Sequence, residues 1–108
     1  MNPLTRQVDL NADLGEGFPN DRAILELVTS ASICCGAHAG DRETILETLR
    51  EAKAQNVILG AHPGFADRAH FGRREQAVTA SEVERLILDQ VESLTATAAT
   101  LGLIVRYV

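Results

Sequence analysis

The chain lacks a basic excess: 10 Lys and Arg stand against 15 Asp and Glu, for a formal charge of −5. A surface that tracks phosphates needs the opposite balance, so nucleic acid is excluded as a general partner, and a small molecule or another protein is expected. Long apolar runs are missing too. No stretch approaches the roughly 18 residues that a membrane helix needs, and Met1–Gln7 holds no apolar core of signal-peptide length. A cytoplasmic protein without membrane contact is therefore predicted. Cysteine is scarce, and its two copies are adjacent, Cys34 and Cys35. Neighbouring side chains of a strand point to opposite faces, so a bridge between them would be strained and two reduced thiols are predicted. A thiolate nucleophile would need a base beside it, with His38 three to four residues away; two small buried side chains are the simpler reading. No Gly/Ser linker and no low-complexity segment interrupts the sequence, so residues 1–108 are read as one domain.

With 45% apolar and 23% charged side chains, the chain has the composition of a folding domain. Short β-type runs at Val8–Ala12, Ala31–Cys35, Val57–Ala61 and Leu103–Val108 alternate with helical patterns, which is the arithmetic of βα units around a parallel sheet. The predicted class is α/β, a parallel (β/α) half-barrel of about four strands whose two outer edges must be covered or paired. A first helix should begin near Asn20 or Asp21 and turn Ile24, Leu25 and Val28 inward. A second follows Asp41, its predicted N-cap, with Ile45, Leu46, Leu49 and Ala52 on one side. The third opens on Ser81-Glu-Val-Glu84, the spacing of a capping box. It carries Val83, Leu86, Ile87, Val91, Leu94, Ala98 and Leu101 at three- and four-residue steps until Gly102 stops it.

Polar residues gather where these strands end. Asp9, Asn11 and Asp13 alternate along the first strand and are expected to share a face, while His38 and His62 fall just beyond the next two. In parallel α/β architectures the loops at the carboxyl ends of the strands converge, so one site built from three loops is the natural reading. Imidazole with carboxylate suits zinc or another transition ion, which makes Asp9, Asp13, His38 and His62 the candidate metal ligands; hydrogen-bonded rim residues that orient loops are the competing reading. Asp13 and Glu16, beside Gly15 and Gly17, are candidate general acid/base groups. Arg73 and Arg74 could clamp a substrate carboxylate or phosphate, or stand as a solvated pair. They lie in a long connection, Pro63 to Ala80, that also holds Asp67, His70 and Gly72 and reads as a lid. His70 has no partner identifiable in the sequence. An EF-hand is excluded, because Leu14 and Asn20 occupy the positions that need Gly and an acidic residue. No phosphate-binding Gly-rich motif is present either.

Taken together, Asp9-Leu-Asn-Ala-Asp-Leu-Gly-Glu-Gly-Phe18, Ser30-Ala-Ser-Ile-Cys-Cys-Gly-Ala-His-Ala-Gly-Asp41, Gly60-Ala-His-Pro-Gly64 and Phe71-Gly-Arg-Arg74 resemble the LamB/YcsF family, whose members are also called the A subunit of 5-oxoprolinase. The resemblance runs from Val8 to Val108. It implies a barrel of the glycoside hydrolase/deacetylase type, and ring opening of 5-oxoproline to glutamate with ATP, together with subunits B and C. The family motif positions fall on Asp9, Asn11, Asp13, Glu16, His38, Asp41, His62, Arg73 and Arg74. The resemblance does not assign their individual roles; the expectation is that Asp13, Glu16, His38 and His62 are catalytic and that Asn11, Asp41, Arg73 and Arg74 bind substrate. Cys34, Ala37 and Ala69-His70 depart from the family pattern. Family members are more than twice as long and continue past a strand like Leu103–Val108 with a Lys-Pro-His segment. Two rival readings are a metal-dependent carbohydrate amide hydrolase or deacetylase, and a non-catalytic half-barrel whose open edges pair in a homodimer.

Overall fold

A computed structural model describes residues 6–108. The first residues of the segment read above for a leader, 1–5, lie outside the described residues. Four parallel strands, β1 (Asn11–Leu14), β2 (Ser30–Cys34), β3 (Ile58–His62) and β4 (Val105–Tyr107), pair in chain order to form half of a barrel. Helices α1 (Asp21–Leu25), α2 (Arg42–Ala54) and α3 (Ala80–Ala99) connect them, with a short 3₁₀ turn at Arg68–His70. None of these helices is long and apolar enough to cross a membrane.

Alternation along the strands separates two faces. Leu14, Ala31, Ile33, Leu59 and Ala61 are at most 3% exposed and pack with Leu25, Ile45, Leu49, Ala52, Leu94 and Ala98 from the helices. The other face is polar. Pairing sets Asn11 beside Ser30, Asp13 beside Ser32, Cys34 beside His62 and Gly60 beside Tyr107. Here Asn11 Nδ2 donates to Ser30 Oγ at 2.8 Å and to Tyr107 OH at 2.6 Å, while Ser32 Oγ donates to Asn11 Oδ1 at 3.2 Å. Gly60 makes room where Tyr107 crosses the sheet, since a β-carbon there would stand 2.1 Å from the tyrosine ring as it lies.

Helix α2 starts where its cap predicts. Asp41 is extended and accepts the Thr44 backbone N–H at 2.7 Å, satisfying one of the donors a helix start leaves unpaired. Helix α3 starts earlier than expected. Its cap is Thr79, whose hydroxyl accepts the Glu82 N–H at 3.2 Å, so the operative spacing is Thr79-Ala-Ser-Glu82, two residues before the predicted box. Of the predicted apolar stripe of α3 only Leu94 and Ala98 are buried, beside the polar Gln90, and Ile87 remains 39% exposed. The first strand is also displaced: Val8 and Leu10 are exposed, and the ladder begins at Asn11. Strand β3 ends on His62, which therefore belongs to the strand itself.

Candidate functional site

Each rim residue arrives from a different βα unit. Glu16 sits in the loop after β1, His38 in the loop after β2, and His62 at the last position of β3. The Glu16 Oε2 atom lies 2.9 Å from His38 Nε2, with the two side chains only 8% and 3% exposed. A carboxylate can only accept, so the Nε2–H of His38 donates. Burying a carboxylate is costly unless it is paired, and His38 supplies the pairing.

His62 faces the open side. Its Nδ1 is 3.8 Å from Asp13 Oδ2 and 4.0 Å from Glu16 Oε2, and its ring centroid is 4.7 Å from that of His38. These distances exceed a hydrogen bond, and Nδ1 of His62 is shut from solvent without a partner, as is Nδ1 of His38. Among the described residues, Glu16, His38 and His62 form the one group whose ligand-type atoms all lie within 4.8 Å of one another. Asp13 borders this group with its carboxylate half exposed.

The lid closes the back of the site. Phe71 meets the His38 ring edge-on at 5.5 Å, and the Arg73 guanidinium lies 5.5 Å from the Phe71 centroid. Arg74 is exposed on the same turn. Arg68, a residue without a recognisable motif, donates to the Gly36 carbonyl at 2.6 Å and ties the 3₁₀ turn to the His38 loop. His70 does have a partner: its Nδ1 lies 2.9 Å from Asp67 Oδ1, three residues earlier.

One assignment needs correction. Asp9 lies before β1 and accepts from Thr29 and Ser30 at the start of β2, the end of the sheet opposite the histidines. Those two bonds, Thr29 first, hold its carboxyl below the usual carboxylate range, and it is no ligand of the His38–His62 group, where Glu16 stands in its place. Asp41 caps α2 through Oδ1, and the Thr44 N–H holds its carboxyl low. Asn11 lies on the polar face one strand step below Asp13, with its amide bonded to Ser30, Ser32 and Tyr107. Phe71 belongs to the Phe71-Gly-Arg-Arg74 motif quoted above, whereas the missed contributors Gln90 and Tyr107 carry no spacing signal, and only the fold brings them to the site.

The cysteines are free, and burial chiefly pushes the Cys34 thiol up to about 12 and the Cys35 thiol to about 11. Cys34 Sγ donates to the Gly15 carbonyl at 2.8 Å. Neither thiol is a nucleophile at neutral pH.

The chain is similar to known proteins. The A subunit of 5-oxoprolinase from Erwinia tasmaniensis is 52% identical over 92 residues, covering 85% of this chain and 38% of the relative. Its namesake from Rhodopseudomonas palustris is 50% identical over 101 residues, covering 88% and 40%. The crystal structure of lactam utilization protein from Thermus thermophilus superposes with a TM-score of 0.89 at 45% identity, over 94% of this chain and 43% of that one. The chain thus spans about two fifths of the length of the curated relatives it matches. The profile of the LamB/YcsF family matches residues 8–108, which carry every rim residue described above, and the chain belongs to that family.

Proposed function

We propose that this chain provides the hydrolytic rim of an ATP-dependent 5-oxoprolinase, which opens the lactam of 5-oxo-L-proline to L-glutamate together with subunits B and C. The supporting observation is the convergence of Glu16, His38, His62 and Asp13 at the carboxyl ends of three strands, in a chain whose relatives bear the name of the 5-oxoprolinase A subunit. Ring opening adds water across one amide bond: the water oxygen attacks the carbonyl carbon, the C–N bond breaks, and the ring nitrogen leaves as an amine. Asp13, the exposed carboxylate, takes a proton from the attacking water and returns it to the departing nitrogen. His62 stabilises the oxyanion, and the buried Glu16–His38 pair holds that geometry. Arg73, seated on Phe71, binds the carboxylate of the substrate. ATP is hydrolysed to ADP and phosphate on a partner protein, which couples that step to ring opening, and the reaction is placed in the cytoplasm.

The test is glutamate release from 5-oxoproline by the chain reconstituted with subunits B and C and ATP. Asp13→Asn is expected to lower kcat by about 100-fold or more, the usual range for a general acid/base. Full ring opening by His62→Ala would remove His62 from the mechanism, and an absence of glutamate from the wild-type mixture would overturn the reading for this chain.

A further inference from the structure

We propose that Glu16, His38 and His62 together bind one divalent transition-metal ion, with Asp13 able to swing in as a further oxygen ligand. The inference deepens the hydrolase reading, because it concerns the same rim, but its test does not use turnover.

The donor set is one carboxylate oxygen and two imidazole nitrogens, a combination that suits zinc and its neighbours better than the all-oxygen shells of calcium or magnesium. Two ligand atoms at ordinary zinc bond lengths and a tetrahedral angle stand about 3.4 Å apart. The observed set brackets this separation: 2.9 Å for Glu16–His38 and 4.0 Å for Glu16–His62, with no pair beyond 4.8 Å. Coordination opens the Glu16–His38 pair slightly and draws His62 inward, a movement that this partly exposed side chain at the end of β3 can supply.

His62 Nδ1 provides the independent observation. It is enclosed, has no hydrogen-bond partner, and faces two carboxylates at distances too long for a hydrogen bond and short enough for an ion between them. Buried polar nitrogens without partners are rare in native proteins, and a metal bond satisfies this one. Coordination by His38 through Nε2 displaces the proton that Nε2 donates to Glu16 in the metal-free chain and leaves the ring proton on Nδ1. One side of the triad faces the open polar surface of the half-barrel, which leaves room for water, and a bound ion there would lower the pKa of that water.

The experiment titrates the 108-residue chain with Co²⁺, followed by visible absorption, and with Zn²⁺, followed by calorimetry. One ion per chain is expected. His62→Ala and Glu16→Gln are each expected to weaken binding by at least about 100-fold, the upper end of what losing a mere outer partner of a ligand produces. Asp9→Asn, at the far end of the sheet, should bind as the wild type does. In the wild-type chain, imidazole ¹⁵N resonances of His38 and His62 should shift on adding Zn²⁺ while those of His70 stay in place. No binding, unchanged affinity in His62→Ala, or shifts confined to His70 would overturn the proposal. If Glu16→Gln does not fold, His62→Ala and the wild-type spectra decide. Metal binding without ring opening would sink the hydrolase reading and leave this site standing; ring opening by a chain that binds no metal would do the reverse.

Discussion

Gln90 grips Gly64 by both backbone polar groups: the Gly64 N–H donates to Oε1 at 3.0 Å, and Nε2 donates to the Gly64 carbonyl at 2.8 Å. Gly64 in turn leaves no room for a side chain, since a β-carbon there would stand 2.6 Å from His38 Nδ1. Through this turn α3 braces the imidazole from behind. Gln90→Leu leaves the part-buried Gly64 N–H and C=O without partners and should cost about 1–3 kcal/mol in urea unfolding. Gln90→Glu keeps the acceptor and loses the donor, so a smaller loss is expected. A leucine variant as stable as the wild type would show that water replaces the clamp.

The Gly60–Tyr107 contact can be read optically. The chain has one tyrosine and no tryptophan, so its intrinsic emission reports Tyr107 alone. Gly60→Ala would place a methyl 2.1 Å from that ring, and the ring tip can yield more easily than the sheet. Displacement breaks the bond from Asn11, so altered tyrosine emission with an intact far-UV spectrum is expected. Unchanged emission would mean that the strand moves instead.

The thiols predict an alkaline effect. Burial raises Cys34 to about 12 and Cys35 to about 11 from an ordinary 9.0. The unfolded chain therefore loses these protons first, so their contribution to stability is complete below about pH 9 and is lost as the pH climbs through about 11 to 12. Unfolding midpoints should fall across that window, and less steeply in Cys34→Ala. Alkylation near neutral pH should be slow in the native chain and rapid in guanidinium.

The two helix caps separate charge from hydrogen bonding. Thr79→Ala removes a neutral cap and should cost about 1 kcal/mol at any pH. Asp41 has its carboxyl held below 3.8 by the Thr44 N–H, so its contribution is present above that value and fades as the pH falls below it. Asp41→Ala should therefore lower Tm at neutral pH, by a margin that shrinks in acid; a margin that stays constant into strong acid would contradict the capping role.

What can be read in advance follows from how local each signal is. Asp41 and the apolar steps of α2 lie within one turn of the backbone they control, and the four β runs alternate with helices over short spans, so the half-barrel is legible in the sequence. The α3 start is not, because Thr79-x-x-Glu82 and Ser81-x-x-Glu84 have the same form, and the choice rests on backbone angles. Asp9 misleads for a different reason: it shares parity with Asn11 and Asp13, but two strand steps carry it to the opposite end of the sheet, toward Thr29. The exchange of Asp9 for Glu16 depends on a loop that folds Glu16 back onto His38, and periodicity carries no information about such loops.

Pairing in chain order sets a schedule for assembly. Every strand adds to a neighbour already made, so no strand waits for a part of the chain beyond its own βα crossover. Positions 16, 38 and 62 can therefore meet as soon as β3 is synthesised and paired, well before α3 exists. Gln90 then arrives as a late bolt behind a cluster already gathered. Native-state hydrogen exchange should accordingly find β2 and β3 opening last, and the Gly64 amide opening together with α3.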